Sequence, residues 1–232
     1  MKKTAAFFVI AALSGASLAE AAPDARRPQP VVVELFQSQG CSDCPPAQRN
    51  LNTLADRPDV LALSFGVTYW DYLGWKDSFA SPAFTQRQRD YSTRNHGAGV
   101  ATPQYWINGR TTVLGANPAR VAQLIAAGGP RGGPDVTISG GRAVIGAGRA
   151  VTGGADVWLV RYDPRTIEVA IRAGENGGRT VPHRDVVRQL TRIGHWKGTA
   201  LTIALPAGGA GLKTAVLLQA GQGGPILSAA KG

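Results

Sequence analysis

The sequence predicts an α/β region followed by a smaller β-rich, sandwich-like region, and three observations carry that prediction. Between Val31 and Gly128, apolar runs of strand length alternate with helical patterns, as in a sheet with parallel strands. A Gly/Pro stretch at 129–134 ends this alternation, and short β-rich runs dominate from Asp135 onward. The only two cysteines stand as Cys41-Ser42-Asp43-Cys44, directly behind the first of the apolar runs.

Taken in order, residues 1–19 read as a signal peptide, with Lys2 and Lys3, an apolar core from Ala5 to about Leu13, and small residues at Ser17 and Ala19 that suit cleavage near 19–22. Export to the periplasm or the exterior is the expectation. The apolar core is shorter than the ~20 residues that span a bilayer, so stable membrane insertion is not expected; an uncleaved anchor helix is the rival reading. Residues 20–30 lack periodicity and read as a flexible leader. The divisions expected beyond it are 31–128, a linker at 129–134, and 135–232.

Val31 to Phe36 is β-branched and apolar, as a buried strand should be. Pro45 and Pro46 are tolerated in the first turn of a helix, where amides lack intrahelical acceptors, and Ala47, Leu51, Leu54 and Ala55 form its apolar face. Val60 to Val67 is the next strand. Ser81-Pro82 reads as an N-cap and first turn opening a polar helix to about Asn95. Val100 to Ile107 returns as a strand, Asn108-Gly109 supplies a hairpin turn, and Thr111 to Leu114 is its partner. Asn117-Pro118 caps a last helix carrying Val121, Leu124 and Ile125, closed by Gly128. Further on, strands are expected at 136–138, 157–162, 166–172, 201–205 and 215–218, with Asp163-Pro164-Arg165 as a hairpin turn between two of them.

The formal charge of +10 falls to about +8 once Lys2 and Lys3 leave, and the remaining basic residues are dispersed, with no run longer than Arg26-Arg27. Charge spread in this way suits solubility or an anionic envelope surface, and no nucleic-acid partner is expected.

A strand that delivers Cys-x-x-Cys to the start of a helix places the first cysteine where free amides and the helix dipole favour a thiolate. Cys41 would then attack a substrate disulfide and Cys44 would resolve the mixed disulfide. A plain staple is the competing reading. A four-residue loop is worth only about 2 kcal/mol by chain entropy, whereas one closing a hundred residues approaches ~5. Metal is the third alternative and is not expected, because Met1 is the sole methionine and His96, His183 and His195 have no ligand spacing to one another or to the pair. No cofactor is required. Asp43, between the cysteines, opposes the helix dipole and should hold the Cys41 pKa up; Ser42 and Asp43 are thus the expected redox-tuning positions.

The strand-CxxC-helix start, Thr102-Pro103 and the hairpin at Asn108-Gly109 together resemble the thioredoxin superfamily over about residues 31–127. This resemblance implies that Pro103 is cis and packs against the Cys41-Cys44 sulfurs, and that Thr102 offers backbone groups to an extended substrate. With Gln39-Gly40, Pro45-Pro46, Gln104, the aromatic run Val67 to Asp77 and the later Gly174-Glu175-Asn176, the chain is similar to a bacterial family of secreted thioredoxin-like proteins known only as a domain of unknown function. Trp70, Tyr72 and Trp75 follow a strand whose carboxyl end shares an edge with that of Val31 to Phe36. They are candidates to line a peptide groove, or simply to plug the core.

Two functional readings follow. The first is a thiol-disulfide oxidoreductase acting on protein or peptide disulfides with an unidentified redox partner, as reductase or isomerase rather than oxidant. The second is a non-enzymatic envelope scaffold with a structural disulfide. Glu175, Asn176, His183 and His195 are the polar residues of the β-rich region that could form a site, although capping or solvation accounts for them equally.

Overall fold

The computed structural model describes residues 29–97, 99–130 and 132–232. The segment read as a signal peptide and most of the expected leader therefore lie outside the described residues. The first region runs β1 (Val31–Gln37), α1 (Cys44–Leu54), β2 (Val60–Gly66), a 3-10 turn (Asp71–Leu73), α2 (Pro82–Arg94), β3 (Gln104–Ile107), β4 (Thr111–Leu114) and α3 (Pro118–Ala126). The second contributes β5 (Val136–Ser139), β6 (Arg142–Ile145), β7 (Ala155–Asp163), β8 (Ile167–Ala170), β9 (Thr180–His183), β10 (Val186–Trp196), β11 (Leu201–Ala204), β12 (Lys213–Ala220) and β13 (Ile226–Lys231). The architecture is mixed α/β, compatible with a thioredoxin-like region followed by a β-rich one. No described helix is long and apolar enough to cross a membrane.

One eight-stranded sheet, in the order β13-β12-β7-β10-β2-β1-β3-β4, runs through both regions. β1 and β2 are parallel along their whole length, from Val31↔Val60 to Gln37↔Gly66, and β3 lies antiparallel on the other side of β1. The junction between the regions is narrow. β10 joins β2 through the single register pair Val186↔Ser64, with the Ser64 amide donating to Asp185 O at 2.9 Å.

Three packed clusters explain the layering. Val31, Val33 and Leu35 face Ala47, Leu51 and Leu54 of α1 and Val121 and Ile125 of α3. Val32 and Phe36 face the other way, onto a cluster that takes Phe84 and Tyr91 from α2 but also Tyr162, Val187, Leu217 and Ile226 from the second region. The small sheet β11-β6-β5 covers the third cluster, where Val136 and Ile145 meet Val157, Trp196, Val216 and Leu218, the sandwich-like part of the fold.

Local signals match their elements closely. Ser81 accepts from the Ala83 amide and Asn117 from the Arg120 amide, each capping a helix that begins with proline. Asn108 and Gly109 hold positive φ in the β3–β4 hairpin, and Asn108 also takes the Val32 amide on its side-chain oxygen at 2.8 Å. Three expectations need correction. β3 begins only at Gln104, because Thr102-Pro103 occupies a cis turn. Asp163-Pro164-Arg165 does not join a hairpin: β7 pairs with β10 and β12, while β8 pairs with β9. Glu34 is a fully buried carboxylate within the apolar strand, paired with Arg87 of the supposedly polar α2 at 2.6 Å.

The Gly/Pro stretch packs tightly on β13. A Cβ at Gly133 would lie 2.1 Å from Ser228 Oγ and 2.6 Å from Leu227 O, so only glycine fits. Gln29, at the end of the expected leader, is held by the Ala229 amide.

Candidate functional site

β1 ends at Gln37, and the loop Ser38 to Cys41 carries the chain into α1. This loop is pinned from several sides. The Gln39 amide donates to Asp77 Oδ2 at 2.8 Å, the Gly40 amide to Ser38 Oγ at 3.0 Å, and the Cys41 amide to Ser38 O at 3.1 Å. Trp75 Nε1 donates to Gln39 Oε1 at 2.9 Å. Burial pushes the Asp77 carboxyl up to about 6, against the pull of the amides it accepts.

The two sulfurs lie 2.7 Å apart, with Cys44 donating to Cys41. Both residues are almost closed to solvent, 2% exposed for Cys41 and 1% for Cys44. They are nevertheless unlike. The hydrogen bond from Cys44 draws the Cys41 pKa down to about 7 against its burial, with help from the Thr102 side chain and then from the amides of Asp43 and Cys44 at the start of α1. Burial pushes the Cys44 thiol well up, and Cys41 beside it pushes the same way. The Thr102-Pro103 peptide is cis, and Thr102 O lies 3.6 Å from Cys41 Sγ. The cysteine turn and the proline turn therefore face one another.

Asp43 is the N-cap of α1, but its side chain makes no capping bond. What the structure brings to Cys41 from Asp43 is its backbone amide. The carboxylate bonded at this turn is Glu175, from the loop between β8 and β9, whose Oε2 accepts from the Ser42 amide at 2.9 Å and from Ser42 Oγ at 2.8 Å. Asn176, itself buried, donates from Nδ2 to Gln39 O at 2.9 Å and to Cys41 O at 2.7 Å. The second region thus contributes directly to the cysteine turn.

The aromatic run divides. Trp75 bonds Gln39, and Trp70 packs on the core near Gly40, its indole nitrogen buried without a partner. Tyr72 is 80% exposed and stands apart from both. Tyr69 donates its hydroxyl to Gln88 Oε1 at 3.1 Å, and burial, with both cysteines adding to it, holds its pKa up at about 12. Gln88 in turn donates to Ala101 O at 2.8 Å and Gln104 Oε1 at 2.7 Å, tying α2 to the turn before Pro103. Sequence reasoning did not single out Tyr69, Asp77 or Gln88, since each acts through a partner distant in the chain. His183 is buried edge-on to Phe79, and His195 bonds Asp156 at 2.9 Å. Among the described residues, no cluster of three or more His, Cys, Asp or Glu side chains could hold a metal.

A mixed α/β protein with a close cysteine pair at the start of a helix is the class that fold and site define. The chain belongs to the family described as "Protein of unknown function (DUF1223)", which matches residues 32–219. It is similar to a crystal structure of a protein from Agrobacterium tumefaciens, with 33% identity over 89% of this chain and 95% of that one and a TM-score of 0.73. HBP35 of Porphyromonas gingivalis shares the fold at 14% identity, with a TM-score of 0.53 over 88% of this chain and 75% of that one. No curated protein matches.

Proposed function

We propose that the protein is an exported, thioredoxin-like thiol-disulfide oxidoreductase that acts on protein or peptide disulfides. The observation that carries this reading is the pair of thiols 2.7 Å apart at the start of α1, facing the cis Thr102-Pro103 turn with Thr102 O 3.6 Å from Cys41 Sγ; the hydrogen bond from Cys44 draws Cys41 down, and burial pushes Cys44 up. The lowered pKa raises the thiolate share of Cys41, and thiolate is the attacking species in exchange. It attacks one sulfur of the substrate disulfide, breaking that bond and releasing one substrate thiolate. Cys44 then loses its proton and attacks Cys41 Sγ in the mixed disulfide. The second substrate thiolate leaves, and the two electrons of the dithiol have passed to the substrate. A partner dithiol returns them in a later cycle.

A Cys41 near 7 suits a reductase or isomerase. Strong oxidants hold the attacking thiol near ~3.5, where a very stable thiolate makes the disulfide eager for electrons. Thr102 and Pro103 would shape the cleft, with Trp70 and Trp75 supporting it and Tyr72 free to meet substrate. The signal-like N-terminus supports action in a compartment where disulfides form.

Equilibration in glutathione buffers followed by thiol trapping tests the reading. A Cys41-Cys44 potential between about −270 and −120 mV is expected, and a Cys44→Ser variant should accumulate a mixed disulfide through Cys41 with a model peptide disulfide. A potential below about −300 mV with unreactive thiols would overturn it. That outcome would favour the scaffold reading, whose support is the near-complete burial of both cysteines.

A further inference from the structure

The amides of Ser42, Asp43 and Cys44 lead in succession into α1, of which Asp43 is the N-cap, and the Cys44 amide also donates to Cys41 O at 3.2 Å. Those of Asp43 and Cys44 favour the Cys41 thiolate. That of Ser42 is already taken, by the Glu175 carboxylate, which also accepts from the Ser42 hydroxyl. These two bonds hold the Glu175 carboxyl below its ordinary range, so it is charged at neutral pH. Two anions thus draw on one helix start, a carboxylate that is permanently charged and a thiolate that forms when Cys41 ionises.

Glu175 is delivered by a braced loop. Asn176 next to it binds the carbonyls of Gln39 and Cys41, and Arg179 Nη1 donates to Asn176 Oδ1 at 3.0 Å. Gly174 has φ +72, and a Cβ there would lie 3.4 Å from Trp75 Cβ and 3.7 Å from Gly40 Cα, so the loop sits directly on the cysteine turn.

We propose that Glu175 is a positioning residue for the dithiol: by holding Ser42 it fixes the turn that carries Cys41, and by occupying the positive end of α1 it disfavours the Cys41 thiolate. A less stable thiolate makes the reduced dithiol a better electron donor. The coupling is reciprocal, so ionisation of Cys41 weakens the hold of the 174–176 loop by the same factor. The consequence for electron donation rests on the oxidoreductase reading; the effect on Cys41 itself does not.

The other titratable and charged groups around Cys41 are Cys44 and Asp43 on α1, Tyr69 after β2, Asp77 on the Gln39 amide, and Arg179 behind Asn176. All are unchanged in a Glu175→Gln variant, whose side-chain oxygen can still accept both hydrogens from Ser42. The experiment is the pH profile of iodoacetamide alkylation of Cys41 in the reduced mature protein, with the modified residue identified by mass. Glu175→Gln should move the midpoint to lower pH, raising the rate at pH 6 about threefold, and Asn176→Ala should move it the same way by releasing the loop. An unchanged or raised midpoint in Glu175→Gln overturns the proposal, including the case where Asn176→Ala alone accelerates alkylation and the loop is only a cover. Failure of the oxidoreductase reading registers separately, as a wild-type potential below about −300 mV.

Discussion

Two polar assemblies border β1, and they are built in opposite ways. On its α2 side, Arg87 gives Nε to Glu34, Nη1 to Gln219 at 3.0 Å and Nη2 to Tyr91 at 2.9 Å, while the Tyr91 hydroxyl donates back to Glu34. The guanidinium also lies over the rings of Tyr91 and Trp158, 5.1 and 5.6 Å from their centroids. At the end of the same strand, the cysteine turn is incomplete. The Trp70 indole nitrogen is buried beside it without a hydrogen-bond partner, and the acceptor that the Cys41 thiol reaches is the Thr102 carbonyl, 3.6 Å away. A closed network of charges holds elements in register, whereas a partly open one leaves groups free to change partners. The first is read as architecture and the second as chemistry.

Breaking the closed assembly should have the largest effect. Arg87→Ala strands the Glu34 carboxylate in the core and should remove about 3–5 kcal/mol of stability in urea unfolding. A loss under about 1 kcal/mol would show the network to be no more than a surface pair in disguise.

His183 tests a buried polar group with no network at all. Both ring nitrogens lack partners, and burial drives its pKa from the ordinary 6.5 to about 4. The unfolded chain takes up the proton first, so this residue's contribution to stability falls as pH drops from about 6.5 to about 4. His183→Phe should remove that slope, and its advantage over the wild type should grow across the window to about 3 kcal/mol at pH 4. Asp185, raised to about 7 by burial, has the opposite sign and loses stability as pH rises through the range from about 4 to 7, so the difference between variant and parent is the quantity to compare.

Asn176→Ala should cost about 1–3 kcal/mol by leaving the Gln39 carbonyl unpaired and leaving that of Cys41 with the Cys44 amide alone, at 3.2 Å, with faster amide exchange confined to residues 39–42. Arg57→Ala should change stability by less than about 1 kcal/mol, since the Arg57–Asp59 pair at 2.6 Å is exposed on both sides.

The same contrast separates what was legible in the sequence from what was not. The cysteine spacing, the proline-opened helices with Ser81 and Asn117 as caps, and the Asn108-Gly109 turn are each set by residues a few positions apart. Glu34 gave no such signal. It is one polar residue in an apolar run, and the arginine that explains it lies 53 positions away. Glu175 and Asn176 stood out as polar residues of the second region, but their place against Ser42 and Cys41 depends on contacts 133 and 135 positions apart, which leave no periodic trace. Asp163-Pro164-Arg165 has the composition of a hairpin turn, yet it joins no hairpin, because which strands pair is settled by packing across the whole sheet.

The single register pair between β2 and β10 makes the protein awkward to dissect. Cut after Gly128, the chain would keep both cysteines and every helix among the described residues, but β2 would become a sheet edge. The Phe84 and Tyr91 face of α2 would also lose Tyr162, Val187, Leu217 and Ile226. A naked strand edge beside bare aromatic surface is a recipe for aggregation. The shortest autonomous piece of this protein is therefore far longer than the stretch that carries its cysteines, and shuffling that stretch alone into another chain would carry the motif without the means to stay folded.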